Sequence, residues 1–407
     1  MLSSMARSPL IAGLLLLALL LALVAWRQAP PEPLDARAPG AAFSAERAAA
    51  TLGRVLGDGA PHPVGSPAQA AVRERLRAEL RALGLQPETQ SAFACGEGAC
   101  AQVENVLAVR EGREPGPLVL LMSHYDSVPP APGAGDDGAG CAALLEAARA
   151  LVAEPPGRLG LALLFTDGEE AGLLGARAFV DEHPLMARVG VLVNLEARGT
   201  GGRSLLFQTS GPGNAGLVAA AAAALARPAA SSLFAAVYER LPNDTDVSVF
   251  ERRAVPGLNF AFIGEPRRYH TPRDDLSHLD RGSLQHHGDN LLALARQLSR
   301  ADPAGLARPA RVVFFDLLGL WLVRWPEGLG PWLAGLALAV LLLAGRRRGA
   351  RPPGAALALV AWLAAVALAV AAQWSAGALW RATAPGPRAW VAAAAAVLAA
   401  AWASGLL

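Results

Sequence analysis

The residues of this chain that can do chemistry gather in two short stretches. One reads Ser-His-Tyr-Asp-Ser at 123–127 and Gly-Ala-Gly-Asp-Asp-Gly at 133–138; the other reads Phe-Thr-Asp-Gly-Glu-Glu at 165–170. Histidine, aspartate and glutamate are hard or borderline metal ligands, and no lysine or cysteine stands among them. With two later residues the candidate ligands in chain order are His124, Asp136, Glu170, Glu196 and His270. Two zinc ions that share one bridging carboxylate need five protein ligands, three for each ion, and a bridging water completes the set. That arithmetic matches the candidates and points to Zn2+, two per chain.

Asp136 is the natural bridge, because its Gly-rich loop lets backbone approach closely. Glu169 and Glu170 are neighbours with diverging side chains, so one can bind metal while the other faces the attacking water. Asp126 lies two residues after His124, on the same side of an extended segment, where its carboxylate can orient the His ring. Singly these signals have bland readings. A Glu-Glu pair is usually a solvated helix start, and Asp-Asp-Gly is usually a turn or helix cap. Their joint order carries the weight.

The elements that must position these residues are legible around them. Apolar runs at 118–122 and 159–165 are bounded by Pro or Gly and suit strands buried on both faces. Both end at candidate ligands, as sites in open α/β sheets do. Helices are expected at about 68–83, 138–152, 171–181, 214–226 and 283–299. Further strands are expected at 103–109, 189–195, 204–209 and 257–263. The alternation predicts an α/β fold with a mostly parallel mixed β-sheet flanked by helices on both faces.

Composition narrows the remainder. The formal net charge is +2 and every one of the 36 basic side chains is arginine, which gives no case for nucleic acid and excludes lysine chemistry. Three cysteines are too few for a disulfide framework or a thiolate zinc site. Cys95 and Cys100 flank a short Gly-containing segment and suit pairing in an oxidising space, with two free thiols as the alternative. Cys141 reads as a small buried hydrophobe.

The ends account for the 53% hydrophobic content. Residues 9–26 form an apolar run of transmembrane length between Arg7 and Arg27, read as a retained anchor in preference to a cleaved signal peptide because the run is long and no convincing small-x-small site follows it. Three further spans are expected at about 329–345, 355–376 and 388–407, while 312–325 suits an interfacial segment. The predicted organisation is an anchor at 1–27, a linker at 28–45, a catalytic domain at 46–302, an interfacial linker at 303–328 and a membrane domain at 329–407. The arginine cluster at 346–351 marks the cytoplasmic side, which places the domain on the opposite face. The lipid bilayer is therefore an expected partner. The arginine, alanine and glycine bias suggests a bacterial inner membrane, with the domain on the periplasmic side. Oligomeric state is not legible.

The motifs also carry a resemblance. His-Tyr-Asp-Ser-Val-Pro, Gly-Ala-Gly-Asp-Asp-Gly, Asp-Gly-Glu-Glu-Ala-Gly-Leu-Leu-Gly, Asn-Leu-Glu-Ala-Arg-Gly and Tyr-His-Thr-Pro-Arg-Asp resemble the di-zinc aminopeptidases, metallopeptidase family twenty-eight, over about 60–300. The stretches 194–199, 206–209, 244–246 and 288–290 are most similar to the membrane-bound branch, which includes endoplasmic reticulum metallopeptidase 1 and the vacuolar membrane proteases. The resemblance implies a zinc exopeptidase fold and removal of N-terminal residues from peptide substrates. It assigns one zinc to His124, Asp136 and Glu196, the other to Asp136, Glu170 and His270, and the general acid/base role to Glu169. The alternatives within the same fold are a glutaminyl-cyclase-like acyltransferase and a non-catalytic receptor-like ectodomain.

Overall fold

The computed structural model describes residues 7–96, 98–238, 241 and 244–347. The spans expected at 355–376 and 388–407, and the arginine cluster from 348 onward, lie outside the described residues. The chain divides into two units, Met1–Glu327 and Gly328–Leu407.

The first unit opens with helices α1 (Arg7–Gln28), α2 (Ala45–Leu56) and α3 (Pro67–Ala82), then a hairpin of β1 (Glu88–Cys95) and β2 (Cys100–Arg110). The alternating part follows as β3 (Leu118–His124), α4 (Gly138–Val152), β4 (Gly160–Thr166), α5 (Leu174–Glu182) and β5 (Val189–Ala197). It continues through β6 (Leu205–Ser210), α6 (Ala215–Ala224), α7 (Ser232–Tyr238), α8 (Val247–Glu251), β7 (Gly257–Phe262) and α9 (Arg281–Leu298). A short α10 (Pro303–Leu306) precedes the β8 (Val312–Leu317) and β9 (Trp321–Pro326) hairpin. In the second unit α11 (Gly330–Arg347) is described.

Seven strands form one mixed sheet in the order β1-β2-β4-β3-β5-β7-β6. The four central strands run parallel, and β1, β2 and β6 are added antiparallel at the edges. Every residue of β3, β4 and β7 is buried, the continuous apolar pattern of strands covered on both faces. One face packs against α2, α3, α4, α6 and α9; the other packs against α5 and α8 through Phe179, Val180, Val247 and Phe250. The chain leaves β3 for β4 on one side and then crosses to β5 on the other. This reversal opens a crevice at the carboxyl ends of the parallel strands.

Two stretches expected as linkers are folded. Within 28–45, Phe43 is buried, Leu34 N–H donates to Gln285 Oε1 at 2.9 Å, and Ser44 caps α2 by accepting from Arg47 N–H. Within 303–328 the chain forms α10 and the β8–β9 hairpin, and Phe314 and Leu322 enter the main core. Cys95 and Cys100 are bonded at 2.07 Å, and Cys141 is buried. Among the described residues no helix is long and apolar enough to cross a membrane.

Candidate metal centre

Four loops at the carboxyl ends of β3, β4, β5 and β7 bring the candidate ligands together. His124 is the last residue of β3, and Glu196 is next to last in β5. Glu169 and Glu170 follow β4, and His270 follows β7. Asp136 stands on the loop between β3 and α4, before a cis Asp136-Asp137 peptide.

Asp136 sits between two histidines. Its Oδ1 is 3.3 Å from His124 Nε2, and its Oδ2 is 3.1 Å from His270 Nε2. Glu196 Oε2 lies 3.9 Å from His124 Nε2, and Glu170 Oε1 lies 3.0 Å from His270 Nε2. The five residues therefore fall into two triads that share Asp136. Glu170 Oε1 is buried without a hydrogen-bond partner, although a histidine nitrogen is that close. One nitrogen facing two carboxylate oxygens is the arrangement of donors that share a cation. Ligand atoms of His124, Asp136 and Glu170 all lie within 4.8 Å of one another.

The tautomer of His124 follows from its other nitrogen. Nδ1 lies 3.1 Å from the Asp126 carbonyl oxygen, which can only accept. A neutral ring therefore carries its proton on Nδ1 and turns a lone pair on Nε2 toward Asp136, as a metal-binding His does.

Charge gives the second test of fit. Asp136, Glu169, Glu170 and Glu196 crowd one crevice around two histidines. Burial pushes the Asp136 carboxyl up, yet the two His rings hold it well below the usual carboxylate range. Burial, then the Asp136 charge, pushes Glu170 up to about 7. Glu196 rises to about 8 through burial, with His124 pulling it down and Asp136 pushing it up. Glu169 is raised well above its ordinary value by burial and by Glu196. Burial lowers His270, but the Asp136 and Glu170 carboxylates outweigh it and lift the ring to about 10. The protein alone must hold protons here to limit repulsion, and divalent cations would replace them. Donor types, two triads and excess negative charge all fit zinc.

Asp126 does more than the sequence suggests. Its carboxylate lies 3.5 Å from His124 Nδ1, beside its own backbone carbonyl at 3.1 Å from the same nitrogen. The carboxylate oxygens accept from Glu169 N–H at 3.0 Å and from Glu170 N–H at 3.3 Å. Three residues of the quoted motifs take supporting places that spacing alone did not assign. Asp274 accepts from Gly135 N–H at 2.6 Å and Asp136 N–H at 3.1 Å, which fixes the bridging loop. A Cβ on Gly135 would stand 2.6 Å from the Gly199 carbonyl oxygen and 2.7 Å from Asp274 Oδ1, so this close approach requires glycine. Asn194 donates to Glu196 Oε1 at 3.1 Å. Tyr269 stacks on His270 at 3.7 Å and receives the Arg198 guanidinium 5.8 Å from its ring centre. His270 itself has φ 56°, a left-handed conformation unusual for histidine, of the kind that accompanies functional sites. A cleft of about 230 Å³ opens over the cluster, walled by Gly172, Leu173, Arg177, Arg198, Asp244 and Tyr269.

Known proteins similar to this chain include metallopeptidases and vacuolar membrane proteases. Mouse endoplasmic reticulum metallopeptidase 1 is 35% identical over 254 residues, 60% of this chain and 28% of that protein. A putative endoplasmic reticulum metallopeptidase 1-B of Caenorhabditis elegans is 31% identical over 363 residues, 81% of this chain and 40% of that protein. The vacuolar membrane protease of Eremothecium gossypii is 34% identical over 224 residues, 54% of this chain and 22% of that protein. This chain thus spans well under half the length of these relatives. Among solved structures, BSAP, a zinc aminopeptidase from Bacillus subtilis, aligns with a TM-score of 0.53 at 16% identity, covering 65% of this chain and 98% of that one. Porphyromonas gingivalis glutaminyl cyclase aligns at 0.51 and 22% identity, covering 63% and 99%. These two similarities establish the fold. Residues 105–295, the stretch that carries every ligand of this centre, match Peptidase family M28.

Proposed function

We propose that this chain is a membrane-anchored, zinc-dependent peptidase of aminopeptidase type, holding two zinc ions and removing N-terminal residues from peptides. The observation that carries the reading is Asp136, whose two carboxylate oxygens each face the Nε2 of a different histidine. His124, Asp136 and Glu196 would hold one ion, and Asp136, Glu170 and His270 the other. Bound zinc supplies a Lewis acid for the peptide carbonyl and a water of lowered pKa. Glu169 accepts the proton of the attacking water and returns it to the leaving amine. Asp126 keeps the Glu169–Glu170 backbone in place for that transfer. The small cleft supports action at a chain end.

The names of the relatives support membrane association; the anchors this reading requires are the apolar stretches of sequence at 9–26 and after 328. Those relatives are eukaryotic and lend no support to a bacterial inner membrane; the extracytoplasmic side for the domain rests on the arginine cluster and agrees with the Cys95–Cys100 bond. The test is digestion of a peptide library by the full chain, read by mass spectrometry beside zinc counting. Loss of single N-terminal residues, abolished by acetylating the amine, is expected. Internal cleavage of acetylated peptides, or cyclisation of N-terminal glutamine without peptide cleavage, would overturn it.

A further inference from the structure

The β8–β9 hairpin is apolar on the face it turns outward. Its register pairs Val313 with Trp325, Phe315 with Val323 and Leu317 with Trp321, so these six side chains share one face. The opposite face packs on the domain. Phe314 and Leu322 are buried there, and the Asp316 carboxylate accepts from Ala230 N–H at 3.1 Å. An antiparallel ribbon with one face in water normally alternates to polar residues on that face. Here Trp321 is 65% exposed, and Phe315 and Leu317 are exposed with it.

Two neighbouring elements extend this surface. Ser231 bridges Phe315, and Phe314 N–H donates to Ser232 Oγ at 2.9 Å, where α7 begins. On α7, Leu233, Phe234 and Val237 are exposed, while Tyr238 turns inward against Phe207. The end of α1 meets the hairpin turn. Arg27 donates through Nε to the Leu318 carbonyl at 3.2 Å and through Nη2 to the Gly319 carbonyl at 2.8 Å. Beside it Trp26 is exposed.

We propose that the outer face of β8–β9, the exposed face of α7 and the last turn of α1 together seat on the headgroup–acyl boundary of a lipid bilayer. Three observations select lipid. The surface is continuous with the apolar run of α1, whose Leu15, Leu19 and Leu23 are exposed. It pairs exposed tryptophans, Trp26 and Trp321, with Arg27 and Arg311, the aromatic and basic composition of a membrane interface. Contiguous exposed apolar residues from three elements are the kind of surface that marks an interaction or membrane site. The seat is independent of the catalytic reading. It has a consequence for it, because α7 leads within six residues to Asp244 on the wall of the cleft.

The test uses the full chain in phosphatidylethanolamine–phosphatidylglycerol vesicles. Cys95 and Cys100 are bonded and Cys141 is buried, so an introduced cysteine takes a nitroxide label selectively. Labels at Val237→Cys and at Leu320→Cys, exposed in the turn between β8 and β9, are expected to show a several-fold higher ratio of oxygen to water-soluble nickel-complex accessibility than a label at Arg81→Cys on α3. Should either variant fail to fold, Leu233→Cys and Leu317→Cys read the same surface. Equal ratios at all positions would show a face in water and overturn the proposal. Protection from both oxygen and the nickel complex would show a protein cover, either a second copy or the C-terminal segment, and would overturn it too.

Discussion

Asp126 grips the backbone of Glu169: its Oδ1 accepts the Glu169 N–H at 3.0 Å while Oδ2 takes the Glu170 N–H at 3.3 Å. One buried carboxylate thereby ties the loop after β3 to the loop after β4. Asp126→Asn keeps the shape but turns an NH2 group toward a backbone N–H. Activity is expected to fall about 10–100-fold, the usual cost of losing a group that supports a metal site. Steady-state kinetics beside zinc counting checks this. Unchanged turnover would show that the grip is dispensable.

The Cys95–Cys100 bond closes the β1–β2 hairpin across directly paired residues. Both cysteines should resist alkylation in native protein until reduced. Cys95→Ser with Cys100→Ser should cost up to about 2 kcal/mol in chemical denaturation, the chain-entropy value for so short a loop. Free labelling of the unreduced native protein would refute the bond.

Gly96, next to that bond, touches the active loop. A Cβ there would stand 2.3 Å from the Gly172 carbonyl oxygen, and Gly172 lines the cleft just after Glu169 and Glu170. Gly96→Ala must therefore displace that loop. Turnover is expected to drop at least about tenfold, since small misplacements of reacting groups are costly. A variant with wild-type turnover would mean that the loop yields without moving the glutamates.

Two adjacent histidines give the protein a sensitivity to acid away from the metal centre. His286 Nδ1 accepts from Ser204 N–H at 3.1 Å and its Nε2 donates to the Arg227 carbonyl at 2.8 Å, so its neutral form is built in. Burial lowers His286 to about 4 and His287 to about 3. The unfolded chain binds these protons near pH 6.5, whereas the folded chain resists them. Their neutral forms thus support the fold fully above pH 6.5, and stability is lost as pH falls from there toward 4. Each contributes a slope of up to about 1.4 kcal/mol per pH unit. Melting temperature followed from pH 7 to pH 5 should fall less steeply in His287→Asn than in wild type. Parallel curves would reject the linkage.

The sequence made the central layer and the ligand types readable because strands buried on both faces are continuous apolar runs, and their ends stand out as His, Asp and Glu. Elements outside that layer were harder to see. Half of the buried face of α2 is alanine, Ala45, Ala48 and Ala49 beside Leu52, Val55 and Leu56, so its apolar stripe is short and weak at its start. The β8–β9 ribbon carries apolar residues on both faces and therefore lacks the alternation that marks a strand. Within the site, Asp126 was expected beside the His124 ring because it is two residues away, and it lies 3.5 Å from it; its hydrogen bonds to backbone 43 and 44 residues along the chain were not legible. Asp274 closes one of the quoted motifs, but its role was hidden for the same reason, since its partners Gly135 and Asp136 are 139 and 138 residues distant.

The two adjacent glutamates separate the metal from the proton. Glu170 Oε1 lies 3.0 Å from His270 Nε2, within the triad built on Asp136, whereas Glu169 lines the cleft beside it. Peptide hydrolysis needs a base for the attacking water and an acid for the leaving amine, a contribution of typically about 10²–10⁴-fold. Glu169→Gln preserves shape and removes the base, so turnover should fall at least ~100-fold with two zincs bound and substrate affinity nearly unchanged. Glu170→Ala should instead lose one zinc, because Asp136 and His270 alone would remain on that ion. Single-turnover rates beside zinc counting on both variants decide the matter. If Glu169→Gln loses metal while Glu170→Gln keeps both ions, the roles are reversed. If neither change slows hydrolysis, the cluster around Asp136 is not where the reaction occurs.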